Sequence, residues 1–212
     1  MLIVVEGIHG CGKSTLINSL VKKLQIDGRE VVTTSWNSYD LVHPAIYYLR
    51  KNGLLYNPYL YFMMHLSDFS FRHEQEILPA LQSGKVVIAD RYVYTGIVRG
   101  LVRGLPRSFV EEAYRFAAKP DLTILLDLSA EESLKRTSPR ANSTWYIGFG
   151  QPHASEDTLD KDEYASYLNV SRNKYLEFAR TDLIINGNLT ADKIVERVYQ
   201  EMIKEKLYAN QN

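Results

Sequence analysis

Residues 5–15 read VEGIHGCGKST, and Gly7, Gly12, Lys13 and Ser14 stand at the spacing of a phosphate-binding loop. Such a loop works through its backbone. Gly7, Gly10 and Gly12 let amide N–H groups turn inward around phosphate oxygens, and the helix that follows adds positive potential at its N-terminus. Lys13 is the residue type that reaches the outer phosphates of a nucleoside triphosphate, and the Ser14 hydroxyl suits Mg²⁺. ATP and Mg²⁺ are therefore the expected cofactors, with His9, Cys11 and Thr15 completing the loop. Cys11 has two readings: a small filler whose amide does the binding, or a thiol activated by the helix N-terminus. His9 is the odd residue, an imidazole in a site built for anions.

Other residues have chemical spacing too. Asp90 and Arg91 follow the apolar run VVIA. They sit either at the ligand-binding edge of an open α/β sheet or in a strand-end salt bridge. Arg136 and Arg140 are four apart, on one helical face, which alone reads as a solvated basic face. His65, Asp68 and Arg72 trace a polar stripe beside an apolar one formed by Phe62, Leu66, Phe69, Ile77 and Leu81. Asp68–Arg72 is an i, i+4 pair with two readings: surface decoration, or an arginine held ready for a ligand.

The elements that must position these groups alternate. LIVVE (2–6), EVVTTSW (30–36), KVVIAD (85–90), LTILLDL (122–128) and DLIIN (182–186) read as strands. Helical patterns fall at 13–25, 41–52, from Asn57-Pro58 to Ser83-Gly84, at 107–118, 130–136, 160–180 and 191–207. Strands alternating with helices predict an α/β fold: a five-stranded parallel sheet with helices on both faces. The stretch from Thr137 to about Thr158 is rich in Ser, Asn, Gly and Pro and reads as a mobile lid.

Bulk composition narrows the function classes. The 212 residues suffice for one domain with a sizeable core, and 45% hydrophobic with 24% charged content is that of an ordinary globular protein. With 25 basic and 25 acidic side chains, the chain lacks the basic excess of nucleic-acid binders. A single cysteine suits a reducing cytoplasm, and no apolar run reaches membrane-spanning length. No nucleic-acid or membrane partner is expected.

Taken together, EGIHGCGKST, DFSFRHEQEILPALQSGKVVIADRY and SLKRTSPR resemble the thymidylate kinase family of P-loop nucleoside monophosphate kinases along nearly the whole chain. SWNSYDLVH, SDFS and DRYVYTG are similar to archaeal-type members. The resemblance implies a three-layer P-loop kinase fold in one domain, a homodimer, and ATP-dependent phosphorylation of dTMP. It implies that Arg91 holds the acceptor phosphate and that Asp90, with Ser14, orients Mg²⁺. It assigns the transition-state arginine to Arg140, because Gly10 stands where some members carry arginine. Arg136, Asn186 and Asn188 fall near the donor adenine.

The departures cluster at the acceptor. The family usually has a carboxylate at the position of His9, which binds a sugar hydroxyl. It usually has a base-reading arginine at Phe69, another arginine after strand two (here Ser35-Trp36-Asn37), and Tyr-Gln where this chain has Arg99-Gly100. The implied acceptor set is His9, Trp36, His65, Asp68, Phe69, Arg72, Arg91, Thr95 and Arg99. Each has a plainer alternative: Phe69 as core, Arg99 and Arg103 as a solvated helix face, His9 pointing into solvent. The lid sequence STWYIGFGQPH covers the substrates or packs on the body. A deoxynucleoside kinase needs a base after strand two, where no carboxylate comes before Asp40. A nucleotide-binding module with a degenerate acceptor site is the remaining alternative.

Overall fold

The structure, a computed structural model, describes residues 1–137, 161–178 and 181–205. Five strands form one parallel sheet: β1 (Leu2–Glu6), β2 (Val31–Ser35), β3 (Val86–Asp90), β4 (Leu122–Asp127) and β5 (Leu183–Asn186). Their order is β2-β3-β1-β4-β5. β1 pairs in parallel with β3 on one side and β4 on the other. After β1 the chain lays β2 at one edge, inserts β3 between them, and then crosses to the other side of β1 with β4 and β5, so the sheet changes direction at β1. Open α/β sheets bind ligands in the crevice beyond the carboxyl ends at such a point.

The apolar strand runs reflect burial on both faces. All five β1 residues are buried, and their side chains alternate between two cores. Ile3 and Val5 of β1, with Val86 and Ile88 of β3, join Leu16, Leu20 and Leu24 of α1 (Lys13–Ile26). Leu2, Val4, Val87 and Ala89 face the opposite core, with Phe62, Phe69 and Ile77.

Around the sheet run α2 (His43–Lys51), α3 (Pro58–Arg72), α4 (Leu78–Gln82), α5 (Val93–Val102), α6 (Arg107–Ala113), α7 (Ala130–Arg136), α8 (Lys161–Phe178) and α9 (Ala191–Lys204). Asn57 caps α3, its side chain accepting from the amides of Tyr59 at 2.9 Å and Leu60 at 3.1 Å. A π turn at His73–Ile77 joins α3 to α4, directly ahead of Pro79, which has no N–H to donate back along the helix. The expected helix at 107–118 stops at Ala113, where Tyr114 and Arg115 turn back with tighter bonds to Glu111 and Glu112. α5 is an element the periodicity did not announce. Its Gly96 and Gly100 allow close approach: a Cβ on Gly96 would lie 2.0 Å from the Tyr114 hydroxyl, and one on Gly100 would lie 2.7 Å from Val110.

Candidate active site

β1 delivers the chain into the phosphate loop at Gly7, whose φ of 139° is left to glycine. A Cβ there would sit 2.6 Å from the Leu126 carbonyl and 2.7 Å from Cys11 Sγ. Lys13 lies across the loop, its buried Nζ donating to the carbonyls of Ile8 at 2.9 Å and Gly7 at 3.3 Å. Burial, and then Arg91, lower its pKa. Cys11 is fully buried beneath the loop, its Sγ 3.6 Å from Lys13 Nζ. The Ser133 hydroxyl of α7 donates to the His9 carbonyl and ties α7 to the loop.

Asp90 and Arg91 sit at the carboxyl end of β3, beside β1. Arg91 has a φ of 73°, unusual for a residue with a side chain. Its Nη1 donates to the carbonyl of Gly7 at 2.9 Å, the hydroxyl of Tyr175 at 3.1 Å and Thr95 Oγ1 at 3.3 Å. Beneath it lies Glu6, a fully buried carboxylate that the sequence marks only as the end of a strand. Glu6 accepts from the amides of Tyr92 at 2.8 Å and Thr95 at 3.1 Å, and from the Thr95 hydroxyl at 2.6 Å.

These residues open onto a cavity of about 410 Å³. Its floor is the loop from Ile8 to Thr15 with Asp90 and Arg91, and Arg99 of α5 lines its side. The opposite wall is α8, through Tyr164, Tyr167, Leu168, Ser171 and Tyr175. None of these α8 residues was singled out from sequence, although Tyr164, Leu168, Ser171 and Tyr175 recur at helical spacing. His9 faces the cavity, not solvent, and its pKa is pushed down to about 3 by burial, Arg91, Lys13 and Arg99 in that order. The imidazole is therefore neutral.

Arg99 also faces the cavity and is 9% exposed, which excludes the solvated-face reading. It donates to the Tyr61 hydroxyl at 3.1 Å and stands 5.6 Å from the Trp36 ring. Arg103 covers the Tyr61 ring at 3.6 Å. Burial alone would raise the Tyr61 pKa, but Arg99, Arg103 and Arg50 outweigh it and bring the phenol down to about 8.

The rest of the expected acceptor set does not line this cavity. Phe69 is fully buried against Tyr92 and Tyr114, a core residue on the apolar stripe. Thr95 is fully buried in the Glu6 network. Trp36 and His65 stack on each other behind Arg99, and burial and then Arg99 hold His65 well below the usual imidazole range. Asp68 and Arg72 are not surface decoration: at 1% and 0% exposure they form a 2.9 Å internal ion pair. Asp68 also accepts from the amides of Asn37 at 3.1 Å and Tyr39 at 2.9 Å, and Arg72 donates to Thr34 at 3.2 Å. The pair clamps the turn after β2, where Asn37 adopts a φ of 60°.

A second recess of about 140 Å³ opens on the other side of the loop, lined by Arg136, Gly187 and Leu189 among others. Arg136 donates to the Gly187 carbonyl and to the Asn188 side chain, both at 2.8 Å, and Asn186 accepts from the Asn188 amide at 2.9 Å. Gly12 and Thr15 line both the cavity and the recess. Arg140 and nearly all of the expected lid lie outside the described residues.

The donor set for Mg²⁺ can be tested on two residues. Ser14 and Asp90 border both the main cavity and a hydroxyl-rich recess beside β2. Asp90 Oδ1 is buried without a hydrogen-bond partner among the described residues. A hydroxyl and an unused carboxylate oxygen fit a hard cation. No group of three or more His, Cys, Asp or Glu side chains able to hold a metal occurs among the described residues. Such an ion would therefore take most of its ligands from nucleotide phosphates and water.

A phosphate loop at the turning point of a five-stranded parallel sheet, with arginines entering from three other elements, defines the class of P-loop phosphotransferases. Within it, the family model described as thymidylate kinase matches residues 5–202. The chain belongs to the thymidylate kinase family. It is similar to "Probable thymidylate kinase" of Thermococcus onnurineus, 34% identical over 96% of this chain and 100% of that protein. "Probable thymidylate kinase" of Archaeoglobus fulgidus is 30% identical over 93% of this chain and 92% of its own length. "Probable thymidylate kinase 2" of Saccharolobus solfataricus is 40% identical over a shorter match, 64% of this chain and 63% of that relative.

Proposed function

We propose that this protein transfers the γ-phosphoryl group of ATP to a nucleoside monophosphate, and that dTMP is the acceptor, giving dTDP. The observation that carries this reading is the meeting of two compartments at Gly12 and Thr15. One holds Arg91, Arg99 and His9, and the other holds Arg136 beside Asn186–Asn188. Two nucleotides seated there would bring their phosphates together over Lys13. The names of the relatives supply the acceptor.

The nucleophile is a monophosphate oxygen, already largely anionic at neutral pH, so no strong general base is required. Catalysis then rests on positioning and charge neutralisation. Lys13 leaves its carbonyl partners for the outer phosphates of ATP. Arg91 keeps Nη1 on the protein and offers its remaining N–H groups to the acceptor phosphate. Mg²⁺, held through Ser14 and Asp90, would neutralise charge between the donor phosphates. His9 lies where it can meet the sugar, and Arg136 steadies the donor base. Arg140 is assigned to the transition state and the 137–158 segment to a lid that excludes water.

The reading extends to a single cytoplasmic domain that pairs with a second copy. Among the described residues no helix is long and apolar enough to cross a membrane. Leu60, Met63 and Phe71 are 40%, 48% and 42% exposed on one stripe of α3, a face suited to self-association that sedimentation can test.

ADP release measured with ATP, Mg²⁺ and a panel of nucleosides and nucleoside monophosphates tests the function. Turnover with dTMP is the expected result, and turnover with nucleosides alone would overturn it. Lys13→Ala and Arg91→Ala are each expected to lower kcat/KM for dTMP by about 10³-fold. Near-normal turnover in Arg91→Ala would remove its assignment.

A further inference from the structure

We infer that Glu6 is a positioning residue for this reaction, acting through Thr95 and Tyr175 to set the direction in which Arg91 offers its guanidinium to the acceptor phosphate. The inference rests on the proposed function and deepens it.

Glu6 is fully buried, and burial raises its carboxyl pKa, although Arg91 and the donors around it act to lower it. Such a group is costly to keep, and its geometry shows what it does. One oxygen collects the amides of Tyr92 and Thr95, which open α5. The other takes the Thr95 hydroxyl hydrogen at 2.6 Å. A hydroxyl has one hydrogen, so Thr95 Oγ1 can then only accept from its remaining neighbours. Those are Tyr175, 2.7 Å away, and Arg91 Nη1. Tyr175 therefore spends its own hydrogen on Thr95 and turns a lone pair to Arg91 Nη1. The carboxylate orders both hydroxyls as acceptors and, with the Gly7 carbonyl, anchors Nη1. Nε and Nη2 have no protein partner among the described residues, and Arg91 lines the cavity. The side of the guanidinium left over is the side that a phosphate would meet. The same carboxylate holds α5 where Arg91, at φ 73°, can enter it.

Glu6→Gln keeps the shape and reverses the order. Its oxygen can still take the two amides, but its NH₂ must then donate to Thr95, whose hydrogen turns towards Tyr175 and Arg91. The decisive measurement is steady-state kinetics with each substrate varied, together with a melting curve. Glu6→Gln is expected to raise KM for the monophosphate and lower kcat, for a combined loss of about 100-fold. KM for ATP should stay within about twofold, because Glu6 makes no hydrogen bond to Lys13 and does not line the donor recess. Thr95→Val should show the same acceptor-side signature, Thr95→Ser should recover most of that loss, and the Glu6→Gln/Thr95→Val double variant should lose little more than either alone.

Equal changes in both KM values, or a fully additive double variant, would reduce Glu6 to a structural role and overturn the inference. So would a Glu6→Gln enzyme that turns over the monophosphate like wild type. A wild type that phosphorylates no monophosphate would instead overturn the function itself, and this role with it.

Discussion

Held neutral by burial, Arg91, Lys13 and Arg99, the His9 imidazole brings one donor and one acceptor to a cavity that already has three cations. It adds no charge, so it suits a sugar hydroxyl better than a phosphate. Its suppressed titration has a consequence for stability. In the unfolded chain His9 titrates near 6.5, and in the folded protein near 3. Between those values the unfolded chain binds the extra proton, so this residue makes stability rise with pH across that window. Acidification from about pH 7 to about pH 5 should therefore destabilise wild type more than His9→Asn. Melting temperatures of both proteins across that range would show a gap that moves in favour of the variant as pH falls. A constant gap would mean that the folded protein does not hold His9 neutral.

Between elements, the clamp of Asp68 and Arg72 has the largest expected effect on stability. It joins α3 to the turn after β2 through Asn37, Tyr39 and Thr34. Removing one partner strands the other as an unpaired charge, which costs about 3–5 kcal/mol. Asp68→Ala should therefore lower the urea midpoint sharply, and Asp68→Leu with Arg72→Met should be milder than Asp68→Ala alone. If the double variant is worse than the single one, the hydrogen bonds to the turn matter more than the charge. The i, i+4 spacing was legible in the sequence. Burial of the pair was not, because it depends on a turn about thirty residues away folding over it. The same limit hid Glu6, whose partners Tyr92 and Thr95 open α5, nearly ninety residues away. The strands were legible because burial on both sides makes them continuous apolar runs. α5 was not, because Gly96 and Gly100 weaken its helical pattern and are needed to admit Tyr114, Val110 and Phe62. The phosphate loop was the most readable part, since its function lies in local backbone geometry and local glycines record it.

For the whole molecule, the consequence of this architecture lies in how its two compartments adjoin. The larger cavity lies between α5 and α8, the smaller recess lies beside α7 and the turn after β5, and Gly12 and Thr15 border both. A single ligand that carries adenosine at one end and thymidine at the other, joined 5′ to 5′ by a chain of phosphates, could fill both at once. The second nucleoside would then bind without a second loss of translational freedom, and affinity should exceed that of ATP or dTMP alone by about 10²–10⁴-fold. The gain depends on the phosphate count: too few cannot span the loop, and extra ones add slack. Calorimetry across a series of phosphate lengths should therefore show a clear optimum. Arg91→Ala should remove the advantage of the thymidine end and leave ATP binding nearly unchanged. If every length binds only as tightly as ATP, the two compartments are not filled together, and transfer between two bound nucleotides loses its structural basis.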